Sequence, residues 1–101
     1  MPSESQYRIV YHRVTHKQLA ACIAELRAAG WEKAALVEIL KTAERRLKHD
    51  PSSCGEPIFN LRSLDLVVSV FCARPFSIHF GTHEQTRSVF VRDVAVMTLN
   101  D

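Results

Sequence analysis

The spacing of apolar residues changes period once along the chain. From His16 to Ala29, Leu19, Cys22, Ile23 and Leu26 recur three and four residues apart, which draws one apolar stripe along a helix. Thr15 sits in the N-cap place before it, with Gln18 three residues on in capping-box register, and Gly30 suits a left-handed stop. From Trp31 to His49, Ala35, Leu36, Ile39, Leu40, Ala43 and Leu47 fall on one face, while Glu38, Lys41, Glu44, Arg45 and Lys48 fall largely on the other. Trp31 is expected to pack into the hairpin at the start of this helix, the other reading being an exposed anchor for a partner. Asp50-Pro51 closes the helix, because the residue before proline avoids helical angles. The connection around Gly30 is short, so the two helices are expected to form an antiparallel hairpin.

Ahead of the hairpin, Tyr7-Arg8-Ile9-Val10-Tyr11 is rich in strand formers and reads as a first strand; residues 1–5 are expected to fray. Behind it the period falls to two. Strands are predicted near Ile58–Leu61, Leu66–Cys72, Phe76–Phe80 and Ser88–Val96, separated by turn-like stretches at Ala73-Arg74-Pro75 and Thr82 to Thr86. Phe76, Ile78 and Phe80 share one face and put Ser77 and His79 on the other. Leu66, Val68, Val70 and Cys72 share one face of their strand and Val67, Ser69 and Phe71 the other, so this strand is apolar on both sides and central. The pattern shifts near Asp93-Val94, which allows a bulge. The fold class is therefore α+β in a single domain over 1–101: one strand, a helical hairpin, then a four-stranded antiparallel meander packed on the helices.

Composition adds little to that. A chain of 101 residues with 47% apolar and 24% charged residues has room for one core. No apolar run approaches the roughly 20 residues that cross a bilayer, and Met1 to Gln6 lack the basic and apolar regions of a signal peptide, so a cytoplasmic protein without membrane contact is expected. The odd set Cys22, Cys54 and Cys72 fits no zinc or redox spacing. Free thiols are expected, with Cys22 and Cys72 on core faces. His12 and His16 flank the predicted strand-to-helix turn and share no helical face with an acidic neighbour, so no metal site is expected. With three glycines in the chain there is no phosphate loop, and no cofactor is expected.

Charge is uneven. Residues 1–56 hold nine Lys or Arg against seven Asp or Glu, and residues 57–101 hold four of each. The excess gathers at Lys41, Arg45, Arg46, Lys48 and His49. The first four of these form an RNA-binding candidate; the same charges would also complement the dipole at a solvated helix end. In the sheet half, Arg62, Arg74, Arg87 and Arg92 are the permanent cations, and His79 and His83 the groups that titrate near neutral pH. Arg62, Arg74, His79 and Arg92 form the catalytic candidate: arginines to hold phosphates, and an outward His79 to carry a proton. Charged strand residues that guard a sheet edge would look alike.

The element order resembles the RelE/ParE superfamily of bacterial toxins. So does the passage Leu47-Lys48-His49-Asp50-Pro51 into Gly55-Glu56. The stretches Arg74-Pro75-Phe76-Ser77-Ile78-His79-Phe80 and Arg87-Ser88-Val89-Phe90-Val91-Arg92-Asp93-Val94 look like that family's last two strands. The resemblance implies the toxin of a type II toxin–antitoxin pair, held silent by a cognate antitoxin. Two activities are implied: metal-independent endoribonuclease action on mRNA at the ribosome, which inhibits translation, or inhibition of DNA gyrase. Where the ribonuclease group carries an arginine and then a tyrosine in the penultimate strand, this chain has Ser77 and Phe80. The chain after the last strand, Ala95 to Asp101, lacks that group's basic or tyrosine set. Those places imply the alternative, a catalytically inactive protein-binding module of the same fold. A bare sheet edge also suits a homodimer or an added antitoxin strand.

Overall fold

A computed structural model describes residues 6–97. The elements run β1 (Arg8–Tyr11), α1 (Arg13–Ala28), α2 (Lys33–His49), β2 (Glu56–Leu61), β3 (Leu66–Ala73), β4 (Phe76–His83) and β5 (Ser88–Val96), with 3-10 turns at Pro51–Ser53 and Arg62–Leu64. The expected α+β order is what forms. The strands make one sheet in the order β1-β5-β4-β3-β2. Strands β2 to β5 pair antiparallel in sequence, and β1 returns to lie parallel to β5, Arg8 beside Ser88 through Tyr11 beside Val91.

One face of this sheet carries the core. Phe71, Phe76, Ile78, Phe80, Val89, Val91 and Val94 pack with Cys22 and Leu26 of α1 and with Leu36, Ala43 and Leu47 of α2. Phe76 and Phe80 are fully buried, and Ser77 and His79 lie on the other face as the alternation requires. Two bonds from the β1 segment tie it to the late turns of α2: the Tyr7 amide donates to the Lys48 carbonyl (2.8 Å) and the Tyr11 hydroxyl to Glu44 Oε2 (2.7 Å). Burial and that carboxylate push the Tyr11 hydroxyl far above its ordinary range. Since β1 leads straight into α1, these bonds place the start of α1 near the end of α2, which is the antiparallel hairpin expected.

The start of α1 differs from the sequence reading. The cap is His12, whose Nδ1 accepts from the Val14 amide at 3.2 Å, and the helix begins at Arg13. Thr15 lies inside the first turn, fully buried, and its hydroxyl is shared between the Val91 (3.2 Å) and Arg92 (3.3 Å) carbonyls of β5. Gln18 closes no capping box. Its amide nitrogen donates to Asp93 Oδ1 and its oxygen accepts from the Val94 amide, both at 3.1 Å. The Cys22 thiol reaches the Val94 carbonyl at 3.6 Å. Residues 15, 18 and 22 share one helical stripe. β1 pairs only as far as Val91, so this stripe serves the edge of β5 that β1 leaves open.

Three further expectations shift. The β5 irregularity falls one residue early: His79 pairs with Asp93 and Phe80 with Val91, leaving Arg92 as the extra residue. Cys72 is exposed, because Phe71 turns to the helices and alternation sends its neighbour outward. Cys54 takes a core position instead. Trp31 precedes α2 and is 40% exposed, not packed in the hairpin. Gly30 does adopt the left-handed region (φ 107°), and a Cβ on Gly55 would run into the Val70 carbonyl, which fixes how closely the chain enters β2.

Thr15→Val keeps the branched shape, removes both bonds of the hydroxyl to β5 and leaves the Val91 carbonyl only the His12 amide. It should cost about 1–3 kcal/mol in urea unfolding; an unchanged midpoint would show that the stripe contributes nothing. Burial pushes the Cys22 and Cys54 thiols up, whereas Cys72 is exposed. Native protein at pH 8 should therefore give one fast thiol with a disulfide reagent and three after denaturation. Three fast thiols in the native state would contradict this burial.

Candidate nucleic-acid interface

Alternation that buries one face of the sheet leaves a second face with different chemistry. Register sets its rows. Val10 of β1, Phe90 of β5, Gly81 of β4, Val68 of β3 and Phe59 of β2 lie side by side across all five strands. His79 lies in the next row, between Val70 and Asp93. Among the described residues no helix covers this face. The Leu66 side chain lies over Gly81, where a Cβ would come within 3.1 Å of it. Phe59 and Phe90 remain 49% and 36% exposed on either side of that apolar centre.

The face deepens where β1 ends. A hollow of about 470 Å³ is lined by Val10, Tyr11, His12, Arg13, Phe90, Val91 and Arg92. A smaller one of about 250 Å³ adjoins it, sharing His12 and Arg92 and adding Gln18 and Asp93. Local structure explains the grouping. The chain turns from β1 into α1 at His12-Arg13, and the β5 bulge inserts Arg92 opposite that turn. Because His12 Nδ1 accepts from Val14, its Nε2 carries the free N–H. The Asp93 carboxylate is engaged by Gln18 rather than by Arg92. Among the described residues no carboxylate pairs with Arg13 or Arg92. Two guanidiniums, an imidazole N–H and an exposed ring around one hollow suit a phosphate with a base stacked beside it.

The residues expected from sequence divide between the two sides of the sheet. His79 and Arg92 come together, one rung apart on neighbouring strands. Arg62 and Arg74 do not. They sit just beyond opposite ends of β3, roughly 25 Å apart at about 3.3 Å per residue, so one phosphate cannot touch both. Lys41, Arg45, Arg46 and Lys48 are all exposed on α2, which packs on the core face. Arg46 stacks over the Phe71 ring at 5.1 Å and meets Arg74 in a groove beside β3. Arg45 donates to Thr42 Oγ1 at 3.2 Å. The sequence reading missed His12 and Arg13 as residues lining the hollow and Phe90 as a surface ring. Parity alone could have found Phe90, since Val89 and Val91 on either side of it are core residues.

No protein-family model matches this sequence, and no curated protein sequence matches it. The fold is similar to that in the crystal structure of the archaeal RelE–RelB complex from Pyrococcus horikoshii OT3. The TM-score is 0.69 at 12% identity, over 93% of this chain and 98% of that one. The RelE-like fold expected from the sequence is therefore present. The described residues contain no helix long and apolar enough to cross a membrane.

If the hollow takes single-stranded RNA, Phe90→Ala should weaken binding of a short labelled oligonucleotide at least fivefold, since stacking contributes about 1–3 kcal/mol per base. Arg92→Ala should weaken it and also flatten the salt dependence by about one unit of log–log slope. Fluorescence anisotropy between 50 and 200 mM salt reads both. Variants that keep the parent's affinity and slope would remove the hollow from consideration.

Proposed function

We propose that this protein is the toxin of a toxin–antitoxin pair and acts on RNA through the open face of its sheet. The observation that carries the reading is the grouping of Arg13, Arg92, His12 and Phe90 around one hollow on a RelE-like fold. The similar protein was solved as a RelE–RelB complex, which supports a protein antitoxin as the partner of this chain.

The arrangement can serve metal-independent cleavage. Arg92 and Arg13 hold the scissile phosphate and offset the charge that builds on it. Phe90 stacks a neighbouring base and fixes the strand. In this reading the proton transfers fall to His12, which lines the hollow with Arg92, and to His79, which pairs with Asp93 on the neighbouring strand. One removes the proton from the ribose 2′-hydroxyl as its oxygen attacks phosphorus, and the other protonates the departing 5′-oxygen. The products are a 2′,3′-cyclic phosphate and a free 5′-hydroxyl. In this reading Arg62 and Arg74 stand outside the reacting centre.

A second reading, a binding module without cleavage, draws on one specific fact. Phe80, where the ribonuclease group has a tyrosine, is fully buried in the core and out of reach of any substrate. The gyrase-directed activity has no comparable observation in its favour.

Controlled expression in a bacterial host, with growth and RNA 5′ ends followed together, separates these. The toxin reading expects arrest with new 5′-hydroxyl ends, relieved at least tenfold by Arg92→Ala in a protein whose circular dichroism is unchanged. Arrest with intact RNA would move the target away from RNA. Soluble, folded protein without arrest would leave the binding module.

A further inference from the structure

The smaller hollow at the β1 corner offers groups that a phosphate in the larger one does not use. It holds about 250 Å³ and is lined by His12, Val14, Gln18, Arg92 and Asp93. His12 and Arg92 line the larger hollow too, so the two spaces share a wall. Gln18 and Asp93 line the smaller one alone and stand on its far side. Hydrogen bonding fixes what that far side presents. A backbone amide only donates, so the Val94 amide (3.1 Å) holds Gln18 Oε1, and Gln18 Nε2 is left to donate to Asp93 Oδ1 (3.1 Å). Asp93 Oδ2 takes no bond among the described residues; His79, across from Asp93 on β4, makes none to it. A guanidinium only donates, and Arg92 occupies the shared wall. Val14, 46% exposed, gives the hollow an apolar side. The order across the space is one free acceptor at the far side, then donors toward the larger hollow.

We infer that the smaller hollow seats a cytosine base whose nucleotide places its phosphate in the larger one. The inference rests on the RNA reading of the larger hollow and adds the base that the site selects. The pairing edge of cytosine carries one donor, the 4-amino group, at its end, followed by two acceptors, N3 and O2. Single-stranded bases are read on that edge. Asp93 Oδ2 accepts from the amino group, as carboxylates do from cytosine. Arg92 donates to N3 and O2 with N–H groups that the phosphate leaves free, since the guanidinium carries five. Val14 supports the ring. The other bases match this order less well. Uracil has a carbonyl in place of the amino group, so two oxygens would face each other and its N3–H would point at a guanidinium. Guanine has two donors beside one acceptor and would need both carboxylate oxygens, of which Gln18 engages one. Adenine offers one acceptor where cytosine offers two.

The test compares RNA heptamers of cytidine and of uridine, alike in backbone and charge, by fluorescence anisotropy at neutral pH. The wild-type protein should bind the cytidine heptamer at least fivefold more tightly. Asp93→Asn removes a negative charge and so strengthens both complexes, but the ratio of the two affinities reads the base alone. Gln18 still donates to the side-chain oxygen in that variant, which puts the amide nitrogen where the free acceptor was, and the ratio should fall to one or below. Spectra of isotope-labelled wild-type protein give a readout that needs no variant: the Gln18 side-chain amide and the Asp93 backbone amide should move further with the cytidine heptamer than with the uridine heptamer. Equal affinities, or a cytidine preference that persists in folded Asp93→Asn, would overturn the inference and leave the RNA reading standing. So would a cytidine preference whose shifts centre on α2. If neither heptamer binds, the RNA reading itself falls and the inference falls with it.

Discussion

The edge of β5 beyond Val91 is the constraint on which the rest of the structure depends. A strand edge presents amides and carbonyls that must find partners once water is excluded, and each buried group left alone costs about 1–3 kcal/mol. β1 serves this edge only from Ser88 to Val91. Past that point a helix takes the place of a strand, offering Thr15, Gln18 and Cys22 where a strand would offer its backbone. A helix can do so because those positions repeat along one stripe. The consequence is positional. α1 is fixed over β5, α2 follows through a short connection, and the two helices together choose which face of the sheet is buried. Among the described residues no buried side-chain nitrogen or oxygen is left without a partner.

From that choice the two faces acquire different tasks. Phe71, Phe76, Ile78, Phe80, Val89, Val91 and Val94 point to the helices, and alternation sends Val68, His79, Gly81 and Phe90 to the opposite side. Local adjustment concentrates charge there. The bulge adds Arg92 to the strand, and the turn into α1 adds His12 and Arg13 beside it. The feature that makes α1 an edge partner, its tight start at His12 against the Val91 carbonyl, is also what closes the hollow. Stability and the candidate site therefore share atoms at this corner. A substitution in the Thr15 stripe would be felt in the hollow as well as in the unfolding midpoint.

Much of the fold was legible because its signals are local. The helices follow from three- and four-residue spacing, and the parity of β4 follows from Phe76, Ile78 and Phe80 alternating with small or polar residues. What failed to be legible depends on partners far along the chain. Thr15 with Gln18 looks like a capping box within its own helix, but the atoms it satisfies lie 76 residues away in β5. The cap fell to His12, a residue that local preference does not favour for that task. β3 is apolar on both faces, so nothing local says that Phe71 rather than Cys72 turns inward. The candidate site was half legible for the same reason. Outward His79 and Arg92 follow from strand parity, whereas the company of His12 and Arg13 follows from the parallel return of β1, which no residue near position 12 announces. Arg62 and Arg74 were grouped by residue type, and the straight run of β3 between them keeps them apart.

Similarity of fold at 12% identity constrains where chemistry can sit without saying which chemistry is there. The helix-covered face must stay apolar, and Phe80 points there, where a hydroxyl would need a buried partner. The open face carries no such demand. Its residues can change without loss of the core. The β1 corner, where Arg13, Arg92 and His12 gather, can hold a phosphate or act on one. Whether His12 and His79 act as a proton-transferring pair distinguishes these two outcomes, because a binding face needs their charge and shape only, whereas cleavage needs one imidazole neutral and the other protonated at the same moment.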